Sequence, residues 1–138
     1  MEPKERIVAL DIGTKRIGVA VSDALGLGAS PVKLIQRNND RQALSEIEKI
    51  CNEYRTNTIL IGIPYNMDGT LGFQAKNCLN FIKPLENRYK ILKQDERLSS
   101  QAAEDILKQK GKKYTKNKGL VDTTAACVIL QEYLENNR

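Results

Sequence analysis

The stretch Arg6-Ile7-Val8-Ala9-Leu10-Asp11-Ile12-Gly13-Thr14-Lys15-Arg16 decides how this chain folds. Mostly apolar residues precede Asp11 and a glycine follows closely, which is typical of a buried strand that delivers a carboxylate to its end. A buried charge is costly unless it is paired or binds a metal. Asp11 is therefore the first candidate functional residue. The plainer alternative is that Asp11 caps a turn or pairs with Lys15 or Arg16.

The rest of the chain predicts five strands and four helices in the order βββ-α-β-α-β-α-α. The predicted strands cover residues 6–12, 16–23, 31–35, 58–63 and 89–94. We expect a hairpin at Thr14 and Lys15, and the three leading strands should form an antiparallel meander. Because the later strands alternate with helices, they should be parallel and flanked by helices. The expected fold is therefore α/β, with a mixed five-stranded sheet.

Apolar residues at helical spacing and capping residues mark the predicted helices. The first should begin at Asn39 or Asp40, and the second should be capped by Thr70. Ser99 or Ser100 should cap a third helix, and the last should cover residues 120–134. The apolar positions that define the first three are Leu44, Ile47, Cys51 and Tyr54, then Ala75, Cys78, Leu79, Ile82 and Leu85, then Ala103, Ile106 and Leu107.

Length and composition favour one globular domain over residues 1–138, because 41% of the residues are hydrophobic and can fill one core. No apolar stretch approaches the length of a membrane helix, and the charged N-terminus leads straight into a strand. Cys51, Cys78 and Cys127 lie far apart without CxxC spacing. We therefore expect a cytoplasmic protein with reduced cysteines in its core and no membrane partner.

Charge and missing residue types restrict the chemistry. The chain has no histidine, so zinc sites and His-based acid–base catalysis lose their usual residue. Any catalysis must rest on carboxylates, lysines, hydroxyls or a bound metal. The net charge of +5 favours a polyanionic partner.

Three further acidic residues occupy positions where a site could form. Asp95 and Glu96 follow the fifth strand, and Asp122 is expected in the first turn of the last helix, at the head of a row containing Ala126, Ile129 and Tyr133. Considered alone, Asp95 or Glu96 could form a surface pair with Arg97. Asp122 alone could simply be a carboxylate that the helix dipole stabilises in the first turn.

Taken together, these acids predict a metal site. Strand ends of an α/β sheet gather along one edge, where ligands bind. Carboxylates that converge there repel one another unless they bind divalent cations, and ligand sets made only of oxygen suit Mg²⁺ or Mn²⁺. Two such ions about 4 Å apart can activate a water and stabilise the leaving oxygen in phosphodiester cleavage.

Four blocks of the chain resemble the YqgF/RuvX family, in the family's order and over essentially the whole length. The blocks are Asp11–Ala20 with Ser22-Asp23, Gly62–Thr70 with Gly72 and Gln74-Ala75, Asp95–Ser100 with Ala103, and Lys118–Asp122 with Ala125-Ala126 and Ile129–Gln131. Jointly they are far more specific than any one of them alone.

The resemblance implies an RNase H-like fold related to Holliday-junction resolvases. It also implies a metal-dependent hydrolase, a nuclease with Asp11, Glu96 and Asp122 as catalytic metal ligands. The family is described both as a resolvase and as a nuclease that matures the 5′ end of the small-subunit ribosomal RNA precursor. Pre-16S rRNA processing in ribosome biogenesis, with ribosomal particles as partners, is the first functional expectation. Holliday-junction resolution in DNA recombination and repair is the alternative.

One departure from the wider superfamily concerns the fourth strand. Resolvases carry an acid at its end, where this chain has Gly62-Ile63-Pro64. Glu96 must substitute for that acid if the site is complete. Because the fifth strand does not alternate cleanly, the residues alone leave Asp95 and Glu96 open, and the resemblance favours Glu96.

Candidate nucleic-acid contacts surround these acids. Lys15 and Arg16 could hold phosphates, or simply form a solvated turn. The segment Asn66–Gly69 could present N–H groups to a phosphate, or be a plain turn before a helix. The segment 108–118 contains six lysines and no acid, so it could bind the backbone or only improve solubility. The candidates are Lys15, Arg16, Asn66, Arg97, Lys112, Lys113 and Lys116.

Two other classes of protein compete with a nuclease. An actin- or hexokinase-like ATPase domain shares the βββαβα core, but such proteins need two domains around the nucleotide. A catalytically silent RNA-binding module would use the basic segment and keep the acids for structure. RNA versus junction DNA, endo- versus exonuclease and oligomeric state stay open.

Overall fold

The computed structural model describes residues 5–96 and 118–137, with side chains of the last helix from Ala125 onward. Its strands are β1 (Ile7–Ile12), β2 (Arg16–Ser22), β3 (Ala29–Gln36), β4 (Thr58–Ile63) and β5 (Lys90–Asp95). Its helices are α1 (Asp40–Glu53), α2 (Phe73–Ile82) and α3 (Lys118–Asn136), and a 3₁₀ turn covers Lys83–Leu85. The predicted helix with Ala103, Ile106 and Leu107 lies outside the described residues.

The five strands form one mixed sheet in the order β3-β2-β1-β4-β5. β1, β2 and β3 are antiparallel neighbours, whereas β4 runs parallel to both β1 and β5. The predicted meander and the predicted parallel strands are confirmed. Because β4 lies between β1 and β5, the carboxyl ends of these three strands share one edge of the sheet.

Tight backbone geometry closes the β1–β2 hairpin. The Gly13 N–H donates to the Arg16 carbonyl at 2.9 Å. A Cβ at position 13 would lie 2.7 Å from the same carbonyl oxygen, so only glycine fits this turn. The hairpin thus turns the chain back after β1, with Lys15 in the turn and Arg16 at the start of β2.

β3 begins two residues earlier than expected, at Ala29, because its pairing with β2 extends to Ser22. A register shift between Val19 and Ala20 lies opposite Pro31. Proline cannot donate to a ladder, and an edge strand with a bulge is where it is tolerated. The strand therefore extends past Pro31 toward its N-terminus, although the sequence predicted Pro31 as its first residue.

The sheet separates two cores because side chains alternate between its faces. α1 and α2 cover one face, and we call the buried residues there the large core. Its members are Val8, Leu10, Ile12, Ile17, Val19, Val21, Ile35, Ala43, Ile47, Ile50, Cys51, Ile59, Ile61, Ile63, Ala75, Cys78, Phe81, Ile82 and Leu85. α3 covers the other face over the small core, which consists of Ala9, Ala20, Leu60, Ala126, Ile129, Leu130 and Leu134.

Both ends of α2 differ from the expectations, whereas the start of α1 does not. Asn39 caps α1 by accepting from the Gln42 N–H, but Thr70 does not cap α2, so that prediction is wrong. Gly72 is the residue before α2, and the Thr70 N–H and hydroxyl bind Asp68 instead. α2 ends at Ile82 because Pro84 cannot continue an α-helix, so Leu85 lies in the 3₁₀ turn.

α3 begins earlier than expected, at Lys118 rather than at residue 120. Asp122 is consequently the fifth residue of the helix, and the expectation that it lies in the first turn is wrong. Within the described residues, no helix combines the length and apolar character that a membrane span requires.

Candidate active site

Asp11 lies near the end of β1 and is half-buried. It is paired with Gly18 of β2 and follows Ala9 by two residues, so its side chain belongs to the α3 face of the sheet. The parallel register aligns Leu10 with Ile61 of β4. The next residue along β4 is Gly62, which places a residue without a side chain next to Asp11.

Glu96 lies just beyond β5 and is only 6% exposed. Its N–H donates to the Ile63 carbonyl at 3.1 Å, so the chain keeps its place beside β4 for one more residue. Gln94, two residues earlier, donates to the Ile129 carbonyl of α3 and marks the same face. Asp95 alternates away from that face and is exposed.

The Glu96 carboxyl occupies the space above Gly62. A Cβ built on Gly62 would lie 2.3 Å from Oε2 of Glu96 and 2.7 Å from Cδ1 of Ile129. The end of β4 therefore offers a cradle in which the carboxyl of Glu96 lies against the backbone. A carboxyl at this place thus comes from the residue after β5, although the neighbouring end of β4 has no acid. The assignment of Glu96 as a metal ligand stays a prediction.

Burial and neighbouring charges raise the pKa of Glu96 to about 8. Burial is the largest cause, and the Asp11 and Asp95 carboxylates add to it. A buried carboxylate beside a second carboxylate is poorly solvated and repelled, and a divalent cation relieves both effects. The donor set is made only of oxygen, which suits Mg²⁺ or Mn²⁺. Asp11 and Glu96 thus fit such a cation.

Cys78 of α2 lies beneath this pair, on the large-core side. Its Sγ contacts the Ile12 carbonyl at 3.5 Å. Burial, followed by the charges of Glu96 and Asp11, raises the pKa of the thiol to about 12. The thiol therefore stays protonated at neutral pH and serves packing rather than nucleophilic chemistry. Cys51, Cys78 and Cys127 are all free, as expected.

The predicted third ligand, Asp122, belongs to α3, but its side chain lies outside the described part of the structure. Among the described side chains, no group of three or more acids and cysteines could hold a metal ion. The structure thus brings two of the three predicted ligands together, Asp11 and Glu96.

The predicted nucleic-acid contacts lie around this edge only in part. Lys15 is exposed and Arg16 is half-buried in the hairpin. Asn66 is exposed, and its N–H donates to the Thr70 carbonyl, while the Gly69 N–H donates to the Asn66 carbonyl. The N–H groups of Asn66 and Gly69 therefore already donate hydrogen bonds within the loop and do not point to a phosphate. Arg97, Lys112, Lys113 and Lys116 lie outside the described residues.

Sequence reasoning gave no role to Gly62, Cys78 or Arg37, which all adjoin the site. Gly62 was noted only for lacking an acid, because its cradle is visible only with the residue 34 positions later in place. Cys78 appeared as an ordinary core position. Arg37 follows a strand and precedes a helix cap, which is typical of a solvated arginine, and no signal in the sequence distinguishes it.

Residues 5–136 match the model of a family described as "RuvX: Holliday junction resolvase". The chain belongs to the RuvX family. A protein of Crocosphaera subtropica, named "Putative pre-16S rRNA nuclease", is 45% identical over 97% of this chain and 96% of its own length. A Clostridium tetani protein of the same name is 43% identical over 95% and 96%. The suspected membership is thereby confirmed.

Two solved structures share the fold of this RuvX family member. The Fowlpox virus resolvase, in complex with Holliday junction DNA, superposes with a TM-score of 0.59 at 16% identity, covering 95% of this chain and 97% of the resolvase chain. RuvC of T. thermophilus, also with a Holliday junction substrate, gives 0.55 at 13% identity and covers 97% of both chains. The expected RNase H-like, resolvase-type fold is confirmed.

Proposed function

We propose that this RuvX family member is a metal-dependent nuclease that hydrolyses phosphodiester bonds in structured nucleic acid, with the precursor of 16S rRNA as its substrate. The observation that carries the proposal is the Glu96 carboxyl held over Gly62 beside Asp11. No packing requirement explains two neighbouring carboxylates at a sheet edge, one of them nearly buried. The names of the two relatives from Crocosphaera subtropica and Clostridium tetani support the choice of substrate.

In this proposal Asp11, Glu96 and Asp122 hold Mg²⁺ or Mn²⁺. When bound, the cation supplies a Lewis acid for attack on the phosphodiester, and a pair of ions would act on both the attacking and the leaving oxygen. Asp11 offers its carboxylate from β1, and Glu96 reaches the same place from the end of β5. Glu96 must release its proton as the cation binds, because its raised pKa keeps it largely protonated near neutral pH.

The cationic residues have a separate role in the proposal. Lys15 and Arg16 follow Asp11 in the hairpin and would contact phosphates next to the cleaved bond. Asn66, Arg97 and the lysines of segment 108–118 (Lys112, Lys113 and Lys116) would extend this contact along the strand. Lysine holds phosphates as a point charge and reads no base, so the segment would add affinity without sequence preference. We further propose a single domain over residues 1–138, acting in the cytoplasm on ribosomal precursor particles.

Holliday-junction resolution is the second candidate function. The family description and the two structural neighbours with junction DNA favour it. The two candidates share the same carboxylates and differ in the nucleic acid that the surrounding surface accepts. A panel of precursor rRNA, four-way DNA junctions and duplex DNA, each incubated with Mn²⁺, separates them. Binding of RNA without cleavage of any substrate would instead indicate a silent RNA-binding module.

Substitution of the carboxylates tests the proposed site. Asp11→Asn should lower the cleavage rate by at least about 10²–10³-fold, because it removes charge stabilisation at the reacting phosphate. Glu96→Gln should have a similar effect. Asp95→Asn is the matched control: this adjacent carboxylate is exposed and alternates away from the site, so its loss should lower the pKa of Glu96 without abolishing metal-dependent cleavage. Circular dichroism verifies that each variant is folded. Unchanged metal-dependent cleavage by folded Asp11→Asn would overturn the assignment.

A further inference from the structure

Arg37, the residue after β3, has an almost wholly buried side chain and contacts three separate parts of the chain. Its side chain is 8% exposed, although it precedes the solvent-exposed start of α1. We infer that Arg37 is a positioning residue that fixes the β1–β2 hairpin turn, and with it Asp11, against α1 and α2. The inference rests on the proposed function, because it assigns Arg37 a role toward the metal ligand Asp11.

The hairpin turn is bound by Arg37 twice. The Arg37 N–H donates to the Lys15 carbonyl at 2.9 Å. Its side-chain Nη1 donates to the Gly13 carbonyl at 2.8 Å. Gly13 lies two residues after Asp11, so both contacts act on the short segment that sets where the Asp11 strand ends.

The remaining two nitrogens of the guanidinium donate hydrogen bonds to the two helices. Nε donates to Oδ1 of Asp40, the first residue of α1, at 2.9 Å. Nη2 donates to Oδ1 of Asn77 in α2 at 3.2 Å, and the guanidinium carbon lies 4.4 Å from the centre of the Phe81 ring. Each of the three side-chain nitrogens therefore serves a different element, and the flat face lies on an aromatic ring.

This arrangement requires arginine rather than a positive charge in general. A guanidinium presents its donors in a fixed fork and stacks on aromatic faces, whereas a lysine ammonium has one nitrogen and binds as a point charge. Lysine at position 37 could reach one of the three acceptors but could not connect the turn to both helices. Loss of the guanidinium would also leave the half-buried Gly13 carbonyl without this hydrogen bond, which costs free energy.

The consequence should appear in metal binding. Loss of the partners that orient a metal ligand typically weakens metal affinity by about 10–100-fold. Arg37 acts on Asp11 through the backbone of the turn, so we expect the lower end of this range. Arg37→Lys should weaken Mn²⁺ binding about tenfold and lower the cleavage rate at limiting Mn²⁺. Excess Mn²⁺ should restore the rate.

The experiment measures Mn²⁺ affinity by calorimetry, together with hydrogen exchange of the amides at residues 13–16. It compares wild type with Arg37→Lys, Asn77→Ala and Arg88→Met. Asn77→Ala leaves the arginine in place and removes one anchor, so it covers the case in which Arg37→Lys does not fold. Arg88→Met is the matched control, because the exposed Arg88 pairs with Glu48 of α1 and contacts no part of the hairpin.

Both Arg37→Lys and Asn77→Ala should accelerate exchange in the turn and weaken Mn²⁺ binding, while Arg88→Met should change neither. A purely structural role would lower the melting temperature and leave the Mn²⁺ affinity of the folded protein unchanged, which would overturn the inference alone. Wild-type protein that binds no Mn²⁺ would overturn the proposed function as well, and the inference with it.

Discussion

The two faces of the sheet are built from alternate residues of the same strands, yet one face forms the large core and the other holds the candidate site. On the large-core face, β1 contributes Val8, Leu10 and Ile12, and β4 contributes Ile59, Ile61 and Ile63. On the α3 face the same strands contribute one large apolar residue, Leu60, and otherwise the small or charged residues Ala9, Asp11 and Gly62. One face is filled with branched side chains that pack densely, and the other leaves space at the edge where β1, β4 and β5 end.

This difference indicates how a small protein accommodates buried carboxylates. Apolar burial on the large-core face stabilises the sheet by roughly 25 cal/mol per Å² of apolar surface removed from water. The α3 face gives up side-chain volume at Gly18 and Gly62, next to Asp11 and Glu96. Stability and the candidate site should therefore respond to different substitutions, even at adjacent residues of one strand.

Among the substitutions that compare the two faces, the largest effect is expected from Gly62→Ala, which fills the space above Gly62 on the α3 face. The new Cβ would lie 2.3 Å from Oε2 of Glu96, so the flexible end of that side chain must move away. Displacement of a reacting group by about 1 Å can cost about 10²-fold in rate. We expect a comparable loss of cleavage, measured at saturating Mn²⁺ with the substrate that wild type cleaves.

Ile129 provides the control for this substitution, because its Cδ1 would lie 2.7 Å from the same Cβ. The double variant Gly62→Ala/Ile129→Val lacks that methyl group and should recover part of any lost stability. Its cleavage rate should stay low, since Glu96 is still displaced. Recovery of both stability and activity would show that α3, rather than Glu96, was disturbed.

The architecture of the large-core face could be predicted from the sequence. Continuous apolar runs and the hairpin turn were sufficient to give the strand order along the chain and the antiparallel and parallel pairs. The choice between Asp95 and Glu96 could not be derived in this way, because Lys90–Asp95 is an edge strand with half-exposed residues on both faces. Its face assignment depends on α3, through contacts such as that of Gln94 with the Ile129 carbonyl.

Features that depend on distant partners escaped prediction for the same reason. The need for glycine at position 62 becomes visible only when the carboxyl of Glu96 lies above it. Arg37 is buried only because α2 supplies Asn77 and Phe81. The cap of α2 was misjudged because Thr70 has a nearer partner in Asp68. Local sequence patterns show which residues prefer to be buried, but they do not show which polar side chains meet.

The second prediction concerns pH and the metal-free protein. The pKa of Glu96 is about 8 in the folded state and 4.5 ordinarily, so between these values the folded chain holds a proton that the unfolded chain has released. The free energy of unfolding should therefore fall as pH rises from about 4.5 to about 8. The slope from this one group is at most about 1.4 kcal/mol per pH unit.

Urea unfolding in EDTA at several pH values, for wild type and Glu96→Gln, measures this slope. The neutral amide cannot ionise, so the variant should be more stable than wild type near pH 8 and should lack this part of the pH dependence. Glu86→Gln is the control, since Glu86 is exposed in the turn after α2. Equal slopes in wild type and Glu96→Gln would mean that Glu96 is ionised without cost in the folded protein.

The smallest effect is expected from Ile61→Val, which tests whether the two faces are separable at neighbouring residues. Ile61 directly precedes Gly62 but is fully buried in the large core, where its register partners are Leu10 and Lys93. Removal of one buried methyl group should cost about 0.5–1.5 kcal/mol of unfolding free energy. The cleavage rate well below the unfolding transition should stay at the wild-type value, because the lost methyl points away from Glu96.

Urea unfolding and steady-state cleavage of Ile61→Val, measured beside those of Gly62→Ala, give the comparison. A loss of activity in Ile61→Val similar to that in Gly62→Ala would indicate that the backbone of β4 transmits disturbance between the faces. The site would then depend on the packing of the whole strand, and not only on the space above one glycine.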